Sequence, residues 1–181
     1  MDFLKPLFDN IKEKGSPFLV AHRGVCGVNI PCNTLLAYKI AVTQGADVVE
    51  LDVSKSQDGV YFAFHPGMEK VYLKSKKNIP EMTAAEIYQI PILNADGVET
   101  HYHIPTLEDA LSYLRQKTYI NVDKFWMDIQ GITKVIRRCG VENQVIVKTP
   151  VEDKYLKEVE KFASDLMFMP LVRKQDTITD K

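Results

Sequence analysis

The sequence predicts an α/β fold: a largely parallel sheet with helices outside it. Short apolar runs recur at 18–23, 47–56, 60–66, 119–125, 144–149 and 167–172, each of strand length and bounded by turn residues. From residue 106 onward these runs alternate strictly with segments of helical periodicity, the pattern of consecutive βα units. Only 47–56 and 60–66 are joined tightly enough for a hairpin. A closed (β/α)8 barrel needs eight strands in roughly 250 residues, and the chain of 181 residues offers six runs. The expectation is an open sheet or the N-terminal three-quarters of a barrel.

The elements follow in order. Phe3, Leu4, Leu7, Phe8 and Ile11 form a helical stripe over 2–14, ended by Gly15-Ser16-Pro17. The run 18–23 reads as a buried strand and 25–32 as a loop. Asn33 or Thr34 caps a helix that stops at Gly45. The second strand is 47–56, Gln57-Asp58-Gly59 is a hairpin turn, and 60–66 is the third strand. Residues 67–105 read as an insertion of lid type, with Lys70, Lys74, Lys76 and Lys77, a helix over 83–90 and a polar stretch over 94–103. Then come a helix over 106–117, a strand over 119–125, a helix over 127–140, a strand over 144–149, a helix over 152–164 and a strand over 167–172. The polar tail 173–181 is expected to be loose.

Composition narrows the function. The chain is 45% hydrophobic and 26% charged with a net charge of −1. This suits a single globular domain over 1–181 and gives no basic surplus for a nucleic-acid partner. Cys26, Cys32 and Cys139 are odd in number and show no zinc-site spacing, which favours a reducing compartment. The N-terminal segment is broken by charges, and no run reaches the length of a membrane span. The expected location is cytoplasmic, without stable membrane insertion.

Chemistry is concentrated at the strand ends. Glu50 and Asp52 are two residues apart on an otherwise apolar strand, so both face one side. Paired carboxylates there either lie on a solvated edge or share a divalent cation that offsets their repulsion and lost solvation. All-oxygen ligation suits Mg²⁺ or Ca²⁺. His22 ends the first strand, His65 the third, and Asp123 lies late in the fourth. In a parallel barrel these ends converge. Two imidazoles beside a metal suit acid–base chemistry near neutral pH, and Arg23 offers a fork for a phosphate. His101 and His103 lack nearby carboxylate or thiol ligands and read as loop residues. The lysines at 70–77 read as a solvated loop or a site for an anionic headgroup. Phe125 and Trp126 read as core or as the rim of the mouth. Nothing marks Cys26 or Cys32 as a nucleophile.

The order His22-Arg23-Gly24, Asn33-Thr34, G-A-D-x-x-E-x-D-V over 45–53, Asp58-Gly59, His65, and I-P-T-L-E-D-A-L over 104–111 resembles the glycerophosphodiester phosphodiesterase family. The resemblance covers 17–172 and is densest over 20–65. It implies a TIM barrel with a small insertion at 67–105, here lacking its last strands. It implies one divalent metal and hydrolysis of a small glycerophosphodiester to an alcohol and glycerol 3-phosphate, with the substrate's own glycerol hydroxyl as nucleophile and water opening a cyclic phosphate afterwards. Carried over, His22 and His65 are the acid–base pair, Glu50 and Asp52 are metal ligands, and Arg23 contacts the phosphate.

Three positions depart from the family pattern. Cys32 stands where the family has Glu, and Pro66 stands where it has Asp. Asp123 replaces the Glu of a Glu-x-Lys run, with Lys124 directly after it. Asp123 remains the expected third ligand. Lys124 and Lys148 are candidates for the phosphate, although strand alternation turns Lys124 away from the site. These changes leave two alternatives: a phosphate- and metal-binding barrel with impaired turnover, or a phosphodiesterase for another phospholipid-derived headgroup. If the chain ends without further strands, the open edge of the first strand favours a homo-oligomer.

Overall fold

Residues 7–172 are described in the computed structural model; the beginning of the expected 2–14 helix and the tail 173–181 lie outside the described residues. Helix α1 (Leu7–Lys14) precedes strand β1 (Val20–Ala21). β1 is much shorter than the apolar run. The chain turns after it, with Arg23 at φ +59° and the Gly24 N–H donating to the Ala21 carbonyl at 3.2 Å. His22 and Arg23 therefore sit in a turn beyond the strand. Helix α2 (Leu35–Thr43) is capped by Thr34, whose hydroxyl accepts from the Ala37 N–H. Asn33 is not the cap; at φ +55° its side chain is free for other partners.

Strand β2 (Val48–Lys55) is buried along nearly its whole length. The Gln57-Asp58-Gly59 turn, with Gly59 at φ +88°, returns the chain as β3 (Tyr61–Ala63). β3 pairs antiparallel with the last residues of β2, Val53 to Lys55. A short hairpin can make only antiparallel neighbours, so β3 is not a barrel strand. This lowers the count of barrel strands among the described residues from six to five while the partial parallel barrel stands, and it leaves His65 two residues beyond the strand expected to carry it. The insertion contains α3 (Glu69–Tyr72) and α4 (Ala84–Ile87). It buries its own small core of Phe62, Phe64, Leu73, Ile79, Ile87 and Ile104. The expected 83–90 helix is reduced to α4, which is held by a Thr83/Glu86 capping box.

The regular alternation then resumes with α5 (Leu107–Leu114), β4 (Tyr119–Asp123), α6 (Ile129–Cys139), β5 (Val145–Pro150), α7 (Asp153–Phe162) and β6 (Met167–Leu171). Among the described residues the parallel path runs β1-β2-β4-β5-β6, five strands in chain order, with β3 beside β2. No helix among them is long and apolar enough to cross a membrane.

The two faces of this arc divide by parity. Val49, Leu51, Val53, Ile120, Val122, Val145 and Val147 face the helices and form the main core with Leu107, Leu111, Ile132 and Ile136. On the other face Val48, Tyr119 and Ile146 pack with Leu7 and Phe18 at the N-terminal end. Further along that face the register pairs Glu50 with Asn121 and Asp52 with Asp123. The inner face is thus apolar at one end and polar at the other, and the polar end is where the strands terminate.

Candidate active site

Glu50, Asp52 and Asp123 each present a carboxylate oxygen, all within 4.8 Å of one another. Glu50 and Asp52 are buried and Asp123 is half-buried. Strand register alone brings them together: two alternate residues of β2 beside the last residue of β4.

The β1–α2 loop covers Glu50 and Asp52. The Arg23 backbone N–H donates to Glu50 Oε2 at 3.0 Å. Its guanidinium Nε lies 2.9 Å from Asp52 Oδ2, an ion pair without the alignment of a hydrogen bond. The Asn33 side-chain amide donates to the same oxygen at 3.0 Å, and its carbonyl oxygen accepts from the Tyr38 hydroxyl at 3.1 Å. Gly24 allows this closure. A Cβ there would lie 2.7 Å from the backbone carbon of Ala37, and its φ of +78° suits glycine.

Two lysines complete the charge balance. Lys148 Nζ is 3.7 Å from Glu50 Oε1 and 3.6 Å from Asp123 Oδ2. Lys124 Nζ is 2.9 Å from Asp123 Oδ2 and 3.7 Å from Asp52 Oδ1. Strand alternation would have turned Lys124 away. β4 instead ends at Asp123, and Lys124 adopts a left-handed φ of +62° that returns its side chain to the inner face. Arg23, Lys124 and Lys148 thus oppose three carboxylates.

The histidines flank the acids on different sides. His22 Nε2 is 3.9 Å from Glu50 Oε2, on an exposed ring. His65 Nε2 is 3.9 Å from Asp52 Oδ1. His65 Nδ1 lies 2.8 Å from the Pro66 carbonyl. A carbonyl only accepts, so Nδ1 carries a proton and Nε2 of the neutral ring is left as the base facing the carboxylates. Pro66 lacks an N–H but still orients the imidazole through its oxygen.

Burial, and after it the adjacent Asp52 charge, holds the Glu50 carboxyl above the ordinary range, against the pull of Lys148 and His22. Burial also acts on Asp123, but the hydrogen bonds from the Lys124 side chain and backbone, with Lys148 nearby, bring it below its ordinary value. Two neighbouring carboxyls are thereby pushed apart in acidity. Asp52 Oδ1 is buried with no hydrogen-bond partner, and so is Asn121 Oδ1. An all-oxygen donor set with an orphaned carboxylate oxygen fits a hard divalent cation.

All eight residues singled out from the sequence gather here: His22, Arg23, Glu50, Asp52, His65, Asp123, Lys124 and Lys148. Other candidates do not. His101 packs on Tyr102 at 4.0 Å, and His103 Nδ1 lies 3.2 Å from the Ile90 carbonyl. Phe125 is fully buried in the main core, whereas the Trp126 ring lies 5.2 Å from Lys124 Nζ. Lys77 pairs with Glu86 at 3.0 Å. Lys70, Lys74 and Lys76 line a surface pocket with Gly67, Ser75 and Asn78. Sequence reading missed Asn33 as a partner of Asp52 and missed Asn121 altogether. Asn121 is two residues before Asp123, the same alternation that exposed the Glu50/Asp52 pair.

Residues 22–168 match the Glycerophosphoryl diester phosphodiesterase family. The chain belongs to that family. A glycerophosphodiester phosphodiesterase of Bacillus altitudinis is 30% identical over 142 residues, covering 76% of this chain and 56% of the relative. One from Caldanaerobacter subterraneus is 27% identical over 156 residues, covering 82% and 63%. Among solved structures, a glycerophosphoryl diester phosphodiesterase from Parabacteroides distasonis superposes with TM-score 0.77 at 22% identity, over 88% of this chain and 55% of that one. An Oleispira antarctica phosphodiesterase, solved in complex with the product sn-glycerol-3-phosphate, gives 0.73 at 21% identity, over 92% and 70%. These neighbours fix the fold: the five-stranded arc is part of the family's TIM barrel. The chain spans 30% to 57% of the length of the first curated relatives it matches.

Proposed function

We propose that this chain carries the metal-dependent phosphodiesterase activity of its family, hydrolysing small glycerophosphodiesters to an alcohol and glycerol 3-phosphate. The observation behind this reading is the triad of carboxylate oxygens within 4.8 Å, flanked by two imidazoles. In this reading 1–181 is one phosphodiesterase domain with its insertion at 67–105. Glu50, Asp52 and Asp123 hold one Mg²⁺ or Ca²⁺, and when bound the ion stabilises negative charge growing on the phosphoryl oxygens. Arg23, Lys124 and Lys148 hold the phosphate. His22 and His65 divide the proton work: one takes the proton of the attacking glycerol hydroxyl while the other gives one to the departing alcohol, and water then opens the resulting cyclic phosphate to glycerol 3-phosphate.

The three free cysteines agree with a cytoplasmic protein. Leu19 and Val20 at the start of β1, with Phe168 and Met169 on β6, are exposed. Where no further strand covers them, they favour association with a second copy.

The test is release of glycerol 3-phosphate from glycerophosphocholine and glycerophosphoethanolamine, with Mg²⁺ or Ca²⁺, with EDTA, and with His22→Ala beside the parent. Turnover lost in both EDTA and the variant is expected. A parent protein that releases no product with either metal, or one indifferent to EDTA, overturns the reading.

A further inference from the structure

The loop between β1 and α2 holds two of the three cysteines, and neither takes part in the proposed chemistry. The loop is folded back on itself. The Asn33 N–H donates to the Arg23 carbonyl at 3.1 Å, and Gly27 and Ile30 exchange two backbone hydrogen bonds at 3.0 and 2.7 Å. Cys26 lies on one limb just before the Gly27/Ile30 rung, and Cys32 lies on the other just before Asn33. The two closures bracket Cys26 and Cys32 on opposite limbs of the same short loop. Both thiols are free; Cys26 is exposed and Cys32 is half-buried. Cys139 is buried on α6, with its sulfur 4.0 Å from both the Ser112 hydroxyl and the Glu108 carbonyl.

We propose that Cys26 and Cys32 form a modification site, oxidised to an intramolecular disulfide by low-molecular-weight disulfides of the glutathione class. The order of attack follows from exposure. Burial, with the Cys26 contact second, pushes the Cys32 thiol up to about 12, so Cys32 stays protonated while the accessible Cys26 reacts first. The Cys26 thiolate attacks one sulfur of the small disulfide, forming a mixed disulfide and expelling one thiolate. Cys32 then gives its proton to solvent, and its sulfur attacks that of Cys26. The Cys26–Cys32 bond forms and the second small thiolate leaves. Two protein thiols lose two electrons, and one small disulfide gains them.

The consequence is local. Arg23 and Asn33 are the feet of this loop, and both touch Asp52 Oδ2. A bridge between the limbs ties those feet together, so oxidation stiffens a loop that already covers the carboxylate in the reduced form. The proposal goes beyond the phosphodiesterase reading and does not depend on it.

The test is equilibration of the full chain in graded mixtures of oxidised and reduced glutathione, then acid quench, alkylation, intact mass and peptide mapping. The wild type is expected to lose two hydrogen atoms through a bridge mapped to Cys26 and Cys32, with Cys139 alkylated. Bridged protein should exceed the Cys26 adduct by about tenfold, because the second thiol is already in place. Cys32→Ser should accumulate the glutathione adduct at Cys26, and Cys26→Ser should leave Cys32 reduced. Amide exchange over 23–34 should slow on oxidation in the wild type and not in Cys26→Ser. A wild type that accumulates the Cys26 adduct as Cys32→Ser does, a bridge that includes Cys139, or a pair still reduced in fully oxidised glutathione overturns the proposal.

Discussion

The Asn33 side chain clasps Asp52 at two points: its amide donates to Oδ2 at 3.0 Å and its carbonyl oxygen accepts the Asp52 backbone N–H at 3.4 Å. The left-handed φ of +55° at Asn33 aims the side chain inward, a conformation asparagine tolerates better than most residues. Asn33→Ala removes both contacts and leaves a buried carboxylate under-satisfied. The expected loss is about 1–3 kcal/mol of stability and roughly 10–100-fold in metal affinity. Thermal unfolding and calorimetric titration with Mg²⁺ or Ca²⁺ measure the two separately. Unchanged metal affinity would show that Asn33 serves the fold alone.

Gly24 gives a second prediction, for folding. Both φ +78° and the 2.7 Å approach to the α2 backbone exclude a side chain. The atoms it would meet are the backbone carbon and oxygen and the Cβ of Ala37, none of which can swing aside. Gly24→Ala is expected to cost about 2–4 kcal/mol, visible as a lowered urea midpoint with an unchanged slope. Gly45→Ala is the control: it shares a positive φ but meets nothing within 4 Å, so its cost should be the smaller.

These two residues mark what the sequence made legible and what it did not. Glu50 and Asp52 could be read because period-two spacing within an apolar run has one structural meaning. The alternation of strands and helices after 106 gave the parallel arc for the same reason. The hairpin at 57–59 is legible too, and its antiparallel pairing takes β3 off the barrel path, so an apolar run of strand length is not by itself a barrel strand. Lys124 is a phosphate candidate that strand alternation by itself would turn away, since alternation holds only while the strand continues and a single left-handed residue ends it. Asn33 and Thr34 are equal cap candidates in the sequence, because a cap and an inward-facing asparagine look alike until the backbone angle is known. Asn121 was overlooked because one amide on a buried strand carries no pattern of its own.

Asp128 predicts the acid limb of stability. It caps α6 through the Gly131 N–H at 2.9 Å and accepts from Lys55 Nζ at 2.6 Å and from the Tyr61 hydroxyl at 2.7 Å. Burial opposes ionisation, but these three donors outweigh it and hold the carboxyl below its ordinary value. The unfolded chain therefore binds the proton more readily. The stabilisation is complete above the unfolded value of 3.8 and is lost as pH falls through the lower folded value. Asp128→Ala should cost about 1–2 kcal/mol at pH 7 and markedly less at pH 2.5. Urea unfolding at the two pH values measures this; an equal cost at both would mean that the charge contributes nothing.

Lys124 yields the last prediction, in which metal and phosphate binding respond in opposite directions. Its ammonium lies 2.9 Å from Asp123 Oδ2 and 3.7 Å from Asp52 Oδ1, so it shields two of the three carboxylates that would hold the cation. Removing it leaves the triad more negative. At an effective dielectric constant near 20, one charge at this range changes cation affinity by about 1–2 kcal/mol after side-chain relaxation. Lys124→Gly is the better substitution, because glycine accepts φ +62° whereas alanine strains there. Mg²⁺ or Ca²⁺ should bind about 5–30-fold more tightly to the variant in calorimetric titration. Phosphate loses a cationic partner, so KM for the diester should rise several-fold while the metal requirement falls to lower concentration. A variant that binds both metal and phosphate more weakly would place Lys124 in the scaffold of Asp123 rather than in competition with the cation.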